Sequence, residues 1–96
     1  MTTITKTENS ITCNGHAGDR ICCAMLTALT VSLISNICQR LKETAVYELS
    51  DGYFKIDFRN ISETSKILIE SYWYSLNGLA ASYPENFEIV NPGEQG

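Results

Sequence analysis

One histidine and four cysteines are the side chains of this sequence best suited to covalent chemistry: His16, Cys13, Cys22, Cys23 and Cys38. A thiol attacks a carbonyl only as its thiolate, so it needs a base or an electropositive setting, and imidazole supplies the base near neutral pH. His16 stands seven residues before Cys23. The loop composition of Asn14-Gly15-His16-Ala17-Gly18, followed by a helical pattern, predicts a strand–loop–helix corner that brings the two together. Free thiols are expected, because a bridge between the adjacent Cys22 and Cys23 would be strained. Cys13, His16, Cys22 and Cys23 also form a conceivable zinc set. Neighbouring helical residues point about 100° apart, however, so both cysteines would not face one ion; neither metal nor cofactor is expected.

The helix separates Cys22 from Cys23. Residues three and four apart share a face. From Cys22 that face runs through Leu26, Leu29, Leu33 and Ile37, where a cysteine packs as a small hydrophobe. From Cys23 it runs through Thr27 and Thr30 to Ile34. Cys23 therefore lies on a more polar flank, about one turn from the helix start, where the helix dipole favours a thiolate. On this reasoning Cys23 is the nucleophile and His16 its base.

The elements that must position them follow from pattern. Thr2–Lys6 and Ser10–Cys13 read as strands joined by a Glu8-Asn9 turn. Asp19 is a good N-cap for a helix from Arg20 to about Leu41. Ala45–Leu49 and Tyr53–Phe58 flank Asp51-Gly52, a strong hairpin signal. Ser62 and Glu63 open a second helix, whose apolar line runs Ile69, Tyr72 or Trp73, Leu76, Leu79 or Ala80, and Tyr83, with Gly78 placed for close packing. Pro84 stops it, and Phe87–Val90 forms a last strand. The order β-β-α-β-β-α-β predicts an α+β two-layer sandwich, with two helices on one face of a mostly antiparallel sheet. It occupies one domain over residues 1–90, with 91–96 as a tail.

The chain has 96 residues, 44% hydrophobic and 19% charged, which places it with folded domains rather than disordered ones. Its net charge of −4 argues against a nucleic-acid surface. Glu43, Glu48, Glu63, Glu70, Glu85 and Glu88 form no paired-carboxylate pattern and are expected in solvent. The apolar stretch from Ile21 to Ile37 is broken by threonines, serines and Asn36, so a packed helix is expected in place of a membrane span. Residues 1–8 lack the apolar core of a signal peptide, and a cytoplasmic location is expected.

Gly15-His16-Ala17-Gly18, Asp19, and the helix reading Cys22-Cys23-Ala24-Met25-Leu26-Thr27-Ala28-Leu29 resemble the signature of the ribosomal-processing cysteine protease family, Prp. That family shows a Gly-His-Ala loop, an Asp, and a helix reading Cys-Ala-x-x-Ser-Ala-Leu. Asp51-Gly52-Tyr53-Phe54, Leu76-Asn77-Gly78-Leu79 and Tyr83-Pro84-Glu85-Asn86 are similar to its central hairpin, closing helix and the segment after it. The resemblance places Cys23 on the nucleophile and His16 on the catalytic histidine. Aligned on Cys23, Thr27 takes the family serine and keeps its hydroxyl; aligned on Cys22, Leu26 would replace it. Gly15, Gly18, Asp19 and Thr27 are then supporting or substrate-binding residues, with helix capping the first role of Asp19.

The resemblance implies a cysteine endopeptidase that removes the N-terminal extension of a large-subunit ribosomal protein. It also implies a homodimer, to which Tyr72-Trp73-Tyr74 are placed to contribute. The expected partner is a peptide or protein substrate, with no nucleic acid and no membrane. The family loop between histidine and cysteine is longer and Gly-rich, whereas only Ala17 to Cys22 intervene here. The alternative is therefore a non-catalytic peptide- or protein-binding relative on the same fold.

Overall fold

Alternating strand residues and one-sided helix stripes sort the chain into two layers, seen in a computed structural model that describes residues 1–90. The expected tail, 91–96, lies outside the described residues. The elements are β1 (Thr2–Lys6), β2 (Ser10–Asn14), α1 (Arg20–Ser35), β3 (Val46–Ser50), β4 (Tyr53–Asp57), α2 (Glu63–Ser82) and β5 (Phe87–Val90). The five strands lie in the order β3-β4-β2-β1-β5. All neighbours are antiparallel except β1 and β5, which run parallel. The expected α+β sandwich with a mostly antiparallel sheet is borne out.

Register shows why one sheet face is the core. Ile4 sits opposite Cys13 and Ile89, Cys13 opposite Phe54, and Ile11 opposite Ile56. Ile4, Ile11, Cys13, Phe54, Ile56 and Phe87 are buried against Cys22, Leu33, Ile37, Ile69, Tyr72 and Leu76 from the helical layer, with Ile89 packed beside them and partly buried. The same alternation puts Lys6 on the helix side at the strand end, where its Nζ lies 5.8 Å from the Phe58 ring centre and 6.0 Å from that of Trp73. β3 is an edge strand, and all five of its residues are exposed.

The first helix departs from the uniform pattern expected to Leu41. After Ser35 it widens into π-type turns over Asn36–Arg40, with the Leu41 N–H donating to Asn36 O. The Asn36 side chain bonds back to Ser32 O at 2.8 Å, a local competitor for the backbone ladder. Lys42, at φ 55°, then ends the run. From Arg20 to Arg40 this helix is long and apolar enough, by length and composition, to cross a bilayer. Here it docks on the sheet through Cys22, Leu33 and Ile37.

Ser62 caps α2, its Oγ accepting from Ser65 N–H at 3.2 Å. Glu43, expected in solvent, adds a second contact: its carboxylate accepts from Ser62 N–H at 3.1 and 3.2 Å. Tyr83, expected on the buried line, is exposed. Of the three successive aromatics, Tyr72 is buried, Trp73 is half-buried, and Tyr74 is 82% exposed.

Gly78 corrects another expectation. A Cβ added there would meet nothing within 4 Å, so no close packing requires the glycine. Gly78→Ala is therefore expected to raise stability by about 0.5–1 kcal/mol, through the lower backbone entropy cost of alanine in a helix, as measured by urea unfolding.

Candidate active site

The Gly15–Gly18 corner is shaped by two left-handed glycines, at φ 100° and 82°. A Cβ on Gly15 would lie 2.6 Å from the Met1 carbonyl oxygen, so this position needs glycine for close approach as well as for conformation. Three segments hold the loop. Thr2 Oγ1 donates to Gly15 O at 3.1 Å, Asn86 Nδ2 donates to Ala17 O at 2.8 Å, and Gly15 N–H donates to Gly52 O at 2.8 Å. The N-terminal strand, the segment before β5 and the β3–β4 turn thus converge on the residues flanking His16.

Asp19 ends the loop as the α1 cap. Its Oδ1 accepts from the N–H groups of Ile21 (2.9 Å) and Cys22 (3.0 Å), and its carbonyl accepts from Cys23 N–H at 2.9 Å. The helix-start donors nearest Cys23 are therefore already satisfied. Asp19 is committed to capping.

The two adjacent cysteines take different environments. Cys22 is 2% exposed, and burial, followed by the nearby Asp19 carboxylate, holds its thiol above the ordinary range. Cys23 is only partly buried and lines an open cleft of about 350 Å³. His16, Thr27, Leu49, Asp51 and Gly52 line the same cleft, and Cys13, Thr30 and Phe54 contribute to it. Sites predicted from sequence as separate residues thus meet in one depression between α1 and the β3–β4 hairpin. Gly15 is also in its wall, whereas Gly18 and Asp19 stand outside it.

His16 is exposed, and no hydrogen bond joins it to Cys23. Its Nε2 instead lies 3.7 Å from Asp51 Oδ2. The ring rests on Gly52, where an added Cβ would come within 2.7 Å of Nε2. Asp51 and the anchoring residue Asn86 were not assigned to the site from spacing alone. The Asp51-Gly52 hairpin signal marked the turn without revealing which loop it would touch.

Two residues of the cleft wall, Thr30 and Cys13, share a buried partner. Tyr72 Oη lies 2.7 Å from Thr30 Oγ1 and 3.7 Å from Cys13 Sγ, and the Tyr72 ring meets Phe54 edge-on at 6.0 Å. Thr30, expected on the polar flank of Cys23, is buried because Tyr72 satisfies its hydroxyl. Tyr72→Phe strands that hydroxyl and is expected to cost about 1–3 kcal/mol. Adding Thr30→Val removes the second partner and should recover most of the loss, a double-mutant cycle readable by urea unfolding.

Burial pushes the Cys13 thiol from 9.0 up to about 11, with the Tyr72 hydroxyl pulling in the other direction. The folded protein thus keeps this proton where the unfolded chain releases it. The stabilisation is complete below the unfolded value and is lost as pH rises through about 11. The urea midpoint is expected to fall between pH 8.5 and 11, less steeply in Cys13→Ala.

The cysteines and His16 do not assemble as the alternative zinc set. Cys13 and Cys22 are buried, Cys23 faces the cleft, and no group of three or more metal-binding side chains is formed among the described residues.

Comparison with known proteins places this geometry in a family context. The chain matches the family described as Cysteine protease Prp over residues 1–88. The ribosomal processing protease Prp from S. aureus, solved with a covalently linked product peptide, is similar at 22% identity and a TM-score of 0.77, over 94% of this chain and 96% of that one. The same S. aureus protease with a substrate peptide gives a TM-score of 0.79 at 19% identity, over 94% and 96% of the two chains. SMU.848 from Streptococcus mutans gives 0.74 at 25% identity, over 94% and 92%. No curated protein matches in sequence. With nearly its whole length matched, the chain belongs to the cysteine protease Prp family.

Proposed function

We propose that the protein is a ribosomal-processing endopeptidase in which Cys23 and His16 act as a catalytic dyad. The observation that carries this reading is the shared cleft: the partly exposed Cys23 lines it with the chain's single histidine, while Cys22 is packed away. His16 takes the Cys23 thiol proton, and the thiolate adds to the substrate carbonyl carbon. The peptide C–N bond then breaks, and the imidazolium returns the proton to the leaving amine, leaving a thioester. Water, deprotonated by His16, attacks that thioester; the new acid leaves and the thiol is restored.

Asn86 holds the Ala17 carbonyl, and across the trans peptide the Gly18 N–H points the opposite way. That N–H, one residue beyond the cleft-lining Ala17, is the oxyanion donor of this reading, since the helix-start donors are bonded to Asp19. Thr27, exposed in the cleft, is placed to contact bound peptide. The S. aureus relative is a ribosomal processing protease, which suggests the N-terminal extension of a large-subunit ribosomal protein as substrate. The net charge of −4 suits a basic partner. A cytoplasmic location and a homodimer belong to the same reading, with Ile21, Val46 and Tyr74 offering exposed apolar surface.

Iodoacetamide at mildly acidic pH, followed by peptide mass mapping, tests the nucleophile. Cys23 is expected to be carboxamidomethylated first, and cleavage of extension peptides from large-subunit ribosomal proteins to stop in proportion. Full cleavage by protein alkylated at Cys23 overturns the proposal. A binding-only relative would retain the peptide without cutting it.

A further inference from the structure

We propose that Asp51 is the positioning residue of His16, fixing which ring nitrogen serves Cys23; this rests on the Cys23–His16 reading above. The two imidazole nitrogens are distinct, and the partner of one decides the work of the other. Nε2 is the nitrogen near Asp51 Oδ2, at 3.7 Å, and it is also the atom closest to the Gly52 backbone position. The ring face lies over Gly52 with its Nε2 end nearest the turn, leaving Nδ1 as the nitrogen for the sulfur. At 3.7 Å the pair is a charge contact, and a small rotation of the exposed Asp51 side chain brings it within hydrogen-bond reach of Nε2–H, selecting the tautomer whose Nδ1 lone pair accepts the thiol proton.

Two further observations separate this contact from a chance surface pair. The turn bearing Asp51 is fastened to the His16 loop by the 2.8 Å hydrogen bond from Gly15 N–H to Gly52 O, so carboxylate and imidazole are held in one frame. Asp19, the acid nominated from sequence as a supporting residue, has its Oδ1 occupied by Ile21 and Cys22. Asp51, His16 and Cys23 all line the same cleft. The Asp51 side chain is 96% exposed, so water screens the contact in the free protein. A peptide covering the cleft excludes that water, and the interaction strengthens when the imidazolium forms.

The test needs no substrate. His16 is the sole histidine, so long-range proton–nitrogen correlation in labelled protein reads its ring tautomer without overlap. The alkylation rate of Cys23 by iodoacetamide reads the consequence at sulfur. The proton is expected on Nε2 in the parent protein. Asp51→Ala is expected to shift the tautomer and slow Cys23 alkylation about two- to fivefold, a fold-change of the size left by one partly screened interaction. Asp51→Asn, which retains an acceptor oxygen, should keep the Nε2–H tautomer with an intermediate rate.

An unchanged tautomer in Asp51→Ala overturns the proposal even if alkylation slows, because the carboxylate would then act by charge alone. An unchanged rate overturns it as well. Should Asp51→Ala misfold, Asp51→Asn at the parent rate, or without the Nε2 proton, is the overturning result. If His16→Ala leaves Cys23 alkylation unaffected, it is the dyad that fails; if only the Asp51 variants are silent, the dyad stands without its third member.

Discussion

Cys23→Ala should reduce cleavage of an extension peptide by about ten-thousand-fold, whereas Cys22→Ala should leave it within about threefold of the parent. The two residues are adjacent in sequence but separated by the helix rotation. Cys22 is in the core cluster, while Cys23 opens on the cleft beside His16. The losses should therefore fall on different measurements. Cys22→Ala removes a buried sulfur and lowers stability by about 1 kcal/mol in urea, with turnover kept. Cys23→Ala keeps the fold and removes turnover. Equal activity of the two variants would refute the assignment of the nucleophile.

Gly52→Asn is expected to lower kcat/KM about a hundredfold with little loss of stability. Gly52 sits at φ 70°, a region asparagine tolerates better than other substituted residues, so backbone strain is kept small. The added Cβ, however, would stand 2.7 Å from His16 Nε2. The imidazole is the free end of an exposed side chain and can swing aside at small cost to the fold. Swinging aside takes it out of the cleft that Cys23 lines. Stopped-assay kinetics and a thermal melt on the same sample separate these effects; a fall in melting temperature that accounts for the lost activity would assign Gly52 to folding alone.

Local signals were legible where chemistry and geometry act over a few residues. Asp19 reads as an N-cap and is one; Asp51-Gly52 reads as a hairpin and joins β3 to β4. Helical periodicity separated the cysteines, because a burial difference between neighbours is a property of one helix face. Contacts made across the chain were harder to read. Thr30 looked polar until Tyr72, from the other helix, supplied its partner. Gly78 looked like a packing glycine because nothing in its own helix reveals whether a neighbour approaches. The parallel pairing of β5 with β1 leaves no mark in a four-residue strand, and the widened turn after Ser35 depends on a hydrogen bond from Asn36 to Ser32. His16 was legible as a candidate reactive residue, but its closeness to Asp51 requires the hairpin to fold back over the loop.

The hydrogen bond from Asn86 to Ala17 spans 69 positions, and β1 completes its pairing only when β5 arrives. The corner carrying His16 is therefore among the last parts to be secured as the polypeptide leaves the ribosome. Closing so long a loop is entropically slow, and translation must reach residue 86 before the clamp exists. The His16 corner is in this way tied to the far end of the described fold, and any opening that frees β5 from β1 loosens it as well.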